Sequence, residues 1–359
     1  MRAITPVFSV LLIVVLSVAL VGFLWLFVTG TFNSLKSTGT STVNESLTTI
    51  SSCMKIESVS SNQVSIRNCG AGSIAQSSLG VYLDDIPLNL TMNPPVIGKD
   101  NVGIVSLSGL WNFNLGGHTL RIANPRVVAE VPVNAVLPDS CVLDLEFDEG
   151  SGTFVKDKSG YKNDGTIVNG EGNEWTKGRF GYALDLDNDY VGVGNDSSLA
   201  INNSDFSIEA WIKTPETEKL VTNGDDTRDY FVIARKHVNW NNSMYMFGVW
   251  NDTKGVFVRI ADIDENVAQL SGKADICDNQ WHHVFASVDR DSSTGMKLYV
   301  DGVANPTTGN PTSVGSVFNT SQLEIGRTYY FNGTIDSVRI YNQALTPDQT
   351  ISLRPVSYD

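Results

Sequence analysis

Hydrophobic and polar positions divide the chain into unlike stretches. From Ala3 to Leu35 the run AITPVFSVLLIVVLSVALVGFLWLFVTGTFNSL contains no Asp, Glu, Lys, Arg or His. About 20 residues at a rise of 1.5 Å cross a hydrocarbon core, so this run predicts a membrane-spanning helix. Residues 36–52 turn Ser/Thr-rich. Val43, Leu47 and Ile50 stand there at i, i+4 and i+7, an amphipathic continuation with a break near Gly39. Beyond Cys53 the pattern changes to period two. Gln63–Arg67, Leu79–Leu83, Val102–Leu107, His118–Ile122 and Val127–Val131 read as strands, with turns at Gly70-Ala71-Gly72 and Asp84-Asp85. They make a small all-β unit over 53–134. A patternless stretch with Pro138 gives a linker at 135–140. From 141 to 353 many short strands alternate with Gly/Asn/Asp turns, the spacing of a large two-sheet sandwich or jelly roll, and 354–359 are left as a tail. The clearest strands are Phe206–Lys213, Tyr230–Lys236, Met244–Trp250, Val256–Ile260, Trp281–Asp289 and Met296–Val300, the last running into an Asp301-Gly302 hairpin turn. The fold class is mainly β behind an N-terminal helix.

Charge and cysteine usage place this architecture outside the cell. Arg2 and the α-amino group favour a cytoplasmic N-terminus, and the β-domains follow on the far side. A net charge of −14 argues against nucleic acid as a partner. Eight N-x-S/T sequons, at Asn44, Asn89, Asn195, Asn202, Asn241, Asn251, Asn319 and Asn332, all follow the helix, where glycosylation is possible. So do the four cysteines, Cys53, Cys69, Cys141 and Cys277, whose even number suggests disulfides. Three pairings are open. Cys53 with Cys69 is favoured because the two flank one short hairpin-like segment. Cys141 with Cys277 would follow by elimination, the alternative being free buried thiols.

Two resemblances extend the reading. Arg2-Ala3-Ile4-Thr5-Pro6-Val7 before an unbroken apolar helix resembles the class III leader of archaeal type IV pilins and archaellins. The resemblance implies cleavage between Ala3 and Ile4, a helix in the bilayer or packed with other pilin subunits, and an immunoglobulin-like β-sandwich head over 53–134. An uncleaved anchor is the other reading of the same run. Leu145–Gly152, Asp157–Gly160, Asp164-Gly165-Thr166, Ala183–Leu186, Phe206–Trp211, Trp281–Val284, Leu298–Gly302 and Gly333–Tyr341 are similar, in this order, to the LamG-like concanavalin A-type jelly roll. That family implies a structural Ca²⁺ at Asp148 and Asp336, with Asp157 assisting, and recognition of glycan or protein at a loop rim. Asp157 also reads as an Asx turn in DKSG, and Asp336 as a strand residue paired with Arg339.

Exposed aromatics would carry sugar binding, and Trp240, Tyr329 and Tyr330 are the candidates; Tyr245 and Trp250 read equally as core. Asp144, Glu146 and Asp148 share one strand face, an arrangement that also occurs in laminarinase-type glycosidases. The acidic face lies on the first strand of the domain, however, and no nucleophile or dinucleotide motif accompanies it, so no catalytic residue is assigned. His118 reads as a lone histidine at a strand end on the surface. The expected function is adhesion by a membrane-anchored or filament-forming surface protein. A structural minor pilin or surface-layer component and a tethered glycoside hydrolase are the alternatives.

Overall fold

A computed structural model describes residues 52–186, 189–215, 230–239, 242–250, 252–327, 331 and 333–356. The predicted membrane helix, the leader site at Ala3 and Ile4, and the stalk up to Ser51 lie outside them. Among the described residues no helix is long and apolar enough to cross a membrane.

The strands run in chain order as β1 (Met54–Ser60), β2 (Gln63–Asn68), β3 (Ile74–Ala75), β4 (Gly80–Leu83), β5 (Ile86–Asn93), β6 (Val96–Ile97), β7 (Val102–Ser108), β8 (Gly116–Ala123) and β9 (Val128–Val136). After the linker come β10 (Cys141–Leu145), β11 (Phe154–Val155), β12 (Gly165–Val168), β13 (Trp175–Lys177), β14 (Tyr182–Asp185), β15 (Tyr190–Val193), β16 (Phe206–Lys213) and β17 (Tyr230–Asn239). Then follow β18 (Asn242–Trp250), β19 (Val256–Ala261), β20 (Val267–Ser271), β21 (Trp281–Val288), β22 (Met296–Val300), β23 (Val303–Ala304), β24 (Leu323–Ile325), β25 (Thr334–Tyr341) and β26 (Ser352–Pro355).

The first β-domain is one continuous sheet in the order β1-β2-β7-β5-β4-β8-β9-β26. Alternation turns Val64, Ile66, Val105, Leu107, Leu120, Ile122, Val133 and Ala135 into a single core. Its last strand comes from the far end of the chain. Leu353 pairs with Ala135 on β9 and bridges to Ser61 after β1, its N–H donating to the Ser61 carbonyl at 2.8 Å. The sheet is thereby closed on itself, which corrects the expected immunoglobulin-like sandwich. It also corrects the domain limits: β26 belongs to the first domain, not to the jelly roll or to a tail. The physical reason is that Ile351 and Leu353 are fully buried in the first core and that β26 covers the otherwise open edge of β9. The jelly roll is therefore an insertion between β9 and β26.

Cys53 and Cys69 form a disulfide with Cα atoms 4.9 Å apart, at the start of β1 and the end of β2. The expected partnership of Cys141 and Cys277 is not formed; both are free, buried thiols. Cys141 opens β10, whereas Cys277 sits in the loop between β20 and β21. Cys141 packs with Phe285 and Tyr341 outside, while Cys277 belongs to the core between the two sheets. Burial pushes the Cys141 thiol well above its ordinary range.

The second β-domain packs two sheets face to face. One runs β13-β14-β25-β16-β21-β22-β23, with β10 also on β25; the other runs β11-β12-β15-β24-β17-β18-β19-β20. In FSIEAWIK, Phe206, Ile208, Ala210 and Ile212 face the core, and the residues between them face outward. The opposing sheet contributes Phe231, Ile233, Tyr245, Phe247 and Val258.

The strand directions set the polarity of the molecule. The described chain begins at Ser52, beside the Asn124–Val127 turn that starts β9. β1 and β9 both run away from that pole, and β9 delivers the chain into β10 at the other. Nine residues in β9 span about 30 Å at ~3.3 Å each. The jelly roll sits at the pole opposite the chain entry.

Candidate functional site

The outer face of the first jelly-roll sheet carries a charge network where β10, β16, β21 and β25 lie side by side. Glu209 on β16 is its centre. Its Oε2 meets His283 Nε2 at 2.9 Å, and its Oε1 accepts from Tyr341 Oη at 2.6 Å and Arg339 Nη1 at 3.4 Å. Arg339 Nε also donates to Asp144 Oδ1 at 2.8 Å, and its Nη2 lies 3.8 Å from Glu146. Lys158 closes the chain by pairing with Glu146, 4.0 Å from Asp148. Burial works against the charge on Glu209, but the hydrogen bond from His283 and the charges of His283 and Arg339 hold it below the usual carboxylate range. The acidic face of β10 is therefore engaged in ion pairs. Arg339 pairs with Asp144 and Glu209 rather than with Asp336.

The first β-domain lies over this network. The 3₁₀ turn at Leu110–Asn112, between β7 and β8, sets Trp111 against His283, with ring centroids 4.9 Å apart and planes at 17°, and against Trp211 at 6.0 Å. The Arg179 guanidinium covers the other flank of Trp211 at 4.8 Å and donates to Asn112 Oδ1 at 2.8 Å. Gly302, with φ of +75°, comes so close to the indole that an added Cβ would stand 2.7 Å from Trp111 Nε1. Asp348, on the return path to β26, accepts from Gly109 N at 2.7 Å. These contacts occupy the sheet face, so a ligand of the jelly roll must use its rim, its edge or the opposite sheet.

Beside the interface Asp148 and Asp336 converge on the turn Gly178–Gly181. Asp336 Oδ2 accepts from Phe180 N at 3.0 Å, and Asp148 Oδ1 from Tyr182 N at 2.9 Å. The turn's glycines make room for both carboxylates: an added Cβ would stand 2.6 Å from Asp336 at Gly178 and 2.0 Å from Asp148 at Gly181. Burial, with the charge of Asp148 adding, pushes Asp336 up to about 7. Five carboxylates gather here, Asp144, Glu146, Asp148, Glu209 and Asp336, against Arg339, Lys158 and one imidazole. Asp336 Oδ1 also accepts from Ser337 Oγ at 3.0 Å, so a hard cation shared with Asp148 would have to draw most of its shell of 6–8 oxygens from backbone carbonyls and water. Asp157 does not fit. Its carboxylate already accepts from the N–H groups of Asp144, Ser159 and Asn163 at 2.7–2.9 Å and from Ser159 Oγ at 2.7 Å. It is a turn cap. Among the described residues no group of three or more His, Cys, Asp or Glu side chains is placed to hold a metal.

Other expected sites divide. Trp240, Tyr329, Tyr330, Asn44, Asn241, Asn251 and Asn332 lie outside the described residues. Asn89, Asn195 and Asn202 are exposed. Asn319 is buried, which removes that sequon as an acceptor in the folded chain. Tyr245 is a core residue whose hydroxyl donates to Leu199 O at 3.3 Å, and Trp250 stacks on Phe257 with centroids 4.4 Å apart. His118 is buried rather than on the surface, held between Asp84 at 2.6 Å and Asn114 O at 2.9 Å. The role of Trp111 escaped sequence reasoning. Glu209 had left a signal there, as a carboxylate in the middle of an otherwise buried strand.

A family match supports the fold of the second β-domain. Residues 185–350 match the family described as the Concanavalin A-like lectin/glucanases superfamily. No curated protein sequence matches the chain. Among solved structures the chain is similar to the binding domain of Paraclostridial Mosquitocidal Protein 1, at 17% identity and a TM-score of 0.46, covering 59% of this chain and 51% of that one. It is also similar to the Botulinum neurotoxin serotype D binding domain, at 17% identity and a TM-score of 0.44, covering 59% and 50%. The binding domain of Botulinum neurotoxin DC, solved in complex with rat synaptotagmin II, matches at 17% identity and a TM-score of 0.43, covering 59% and 50%. The chain thus spans about half the length of these structures. The second β-domain is a LamG-like, concanavalin A-type jelly roll.

Proposed function

We propose that the chain is a surface protein held at its N-terminus in a bilayer or a pilin-type filament, and that its jelly roll binds an extracellular glycan or protein as an adhesin. The observation that carries this reading is the polarity of the β-domains: the chain enters the first one at Ser52 and the jelly roll sits at the opposite pole. A spacer that lifts a binding module away from its anchor has this form. The Cys53–Cys69 disulfide suits the oxidising exterior. Ca²⁺ at Asp148 and Asp336 would neutralise the buried excess charge beside the interface and stiffen the turn between Gly178 and Gly181.

The test is binding of the full chain in lipid nanodiscs to arrayed glycans and to cell-surface preparations, with and without Ca²⁺. Saturable binding that survives loss of the N-terminal sequon Asn44 but not unfolding of the jelly roll is expected. Absence of binding to every glycan and surface preparation, with Ca²⁺ present and the jelly roll folded, would refute it.

A further inference from the structure

The sandwich is open along the edge where β20 and β23 end their sheets. A groove of about 290 Å³ lies there. Val256 and Leu298, both buried, form its floor, and Val300, Val303 and Ala304 its wall. Val303 is 72% exposed and carries that apolar wall out to the surface. The geometry follows from the turns. After β22 the Asp301-Gly302 turn, with φ of +50° and +75°, allows only the two-residue β23 before Asn305-Pro306 leaves the sheet. Across the groove the chain leaves β20 at Gly272 and carries Lys273 onto the rim.

The charges at this rim are unequal in their freedom. Asp301 is engaged by His282 Nδ1 at 2.8 Å and by the His283 N–H at 2.9 Å. Asp275, two residues beyond Lys273, lies 3.9 Å from Lys254. Lys273 is exposed and has no ion pair among the described residues. The groove thus offers an apolar floor and wall with one uncommitted ammonium at the mouth. Its volume lies at the low end of small-molecule sites, about 300–1,000 Å³. At ~30 Å³ for each water-sized heavy atom it takes about ten of them.

We infer that this groove binds a small amphipathic anion, an alkyl chain or single ring bearing one carboxylate, with the apolar body against Val256, Leu298 and Val303 and the carboxylate on Lys273. The site is separate from the Asp148–Asp336 pair and borders the interface with the first domain only at the Asp301-Gly302 turn, where Gly302 meets Trp111, and it stands whether or not the protein is an adhesin.

The probe is a six-carbon alkyl diazirine carrying a terminal carboxylate, photolysed with the full chain in nanodiscs and mapped by peptide mass spectrometry. Adducts are expected within 272–274 and 298–306 and should be competed away by 4-phenylbutyrate. Lys273→Gln should cut this labelling at least fivefold, yet leave labelling by the matched primary amide unchanged. Ala304→Trp, which fills the groove from an exposed position, should abolish both. Thermal melts establish that the two variants fold. Labelling spread evenly along the chain, or groove labelling that Ala304→Trp leaves intact, overturns the site. Equal loss of carboxylate and amide labelling in Lys273→Gln overturns the role given to the ammonium.

Discussion

Leu353 lies on the four-residue strand β26, yet it is fully buried in the core of the first β-domain. Leu353→Ala removes that packing and leaves a cavity among Ile351, Val133 and Ala135 or their neighbours in the same core. Buried Leu→Ala changes cost 2–5 kcal/mol, and about 3 kcal/mol is the expectation for a strand that can partly collapse onto β9. The loss should fall on the first domain. Native-state hydrogen exchange on the full chain separates the domains, because peptides report on their own opening free energy. An effect of about 3 kcal/mol lowers protection by roughly two orders of magnitude at ~1.4 kcal/mol per factor of ten. Amides of β8 and β9 should lose that much, and those of β16 and β21 far less. Arg354→Ala, at the exposed neighbour, should stay within ~0.5 kcal/mol. If Leu353→Ala matches Arg354→Ala, or loosens only the jelly roll, the closure of the first sheet by β26 is wrong.

The other predictions concern charge and thiols. His282 carries a carboxylate on each ring nitrogen, Asp301 at 2.8 Å and Asp278 at 3.1 Å, and chiefly the hydrogen bond it donates to Asp301 raises its pKa. Its contribution to stability is therefore complete below the unfolded value of about 6.5 and fades as pH rises through the higher folded value; His282→Asn should remove that slope from denaturation midpoints. Asp336 has the opposite consequence for a carboxyl: the folded state holds its proton up to about 7, so without a cation stability falls as pH climbs from about 4 to 7. Asp336→Asn should flatten that fall, and millimolar Ca²⁺ should raise the Tm at pH 7.5 in the wild type but not in this variant or in Asp148→Asn. Thiol titration should find no reactive cysteine in the native protein and two in denaturant, Cys141 and Cys277. Reducing Cys53–Cys69, which closes a 16-residue separation, should cost the first domain about 3 kcal/mol in chemical denaturation. Arg339→Met should cost about 3–5 kcal/mol in the same assay, because Asp144 and Glu209 are left buried without their cation.

What was legible in the sequence was local. Strand patterning located β16, β17, β18, β19, β21 and β22, the long strands of the jelly roll, and the Asp301-Gly302 turn announced itself by composition. The two flanks of the Gln63–Arg67 strand announced the Cys53–Cys69 disulfide in the same way. What was hidden depends on pairings far apart in the chain. Ile351 and Leu353 are too few to show a period, and only the open edge of β9 explains their burial. An even cysteine count suggested a second pair, but Cys141 opens β10 and packs on the outer face while Cys277 lies in a loop in the core between the sheets, and neither environment can be read from spacing. Asp157 and Asp336 look alike as carboxylates beside turns. Three backbone donors saturate the first, while the second keeps a proton because it is buried near Asp148. Trp111 had no pattern at all, since its partners His283 and Trp211 belong to another domain.

The insertion of the jelly roll between β9 and β26 means that two covalent strands, not one, lead to it. A protease that nicks the linker at 135–140 leaves the module tethered through the return segment, and a nick in the return segment leaves it tethered through the linker. Releasing it from the first β-domain requires both cuts, and even then the Trp111 contact with His283 and Trp211 must let go.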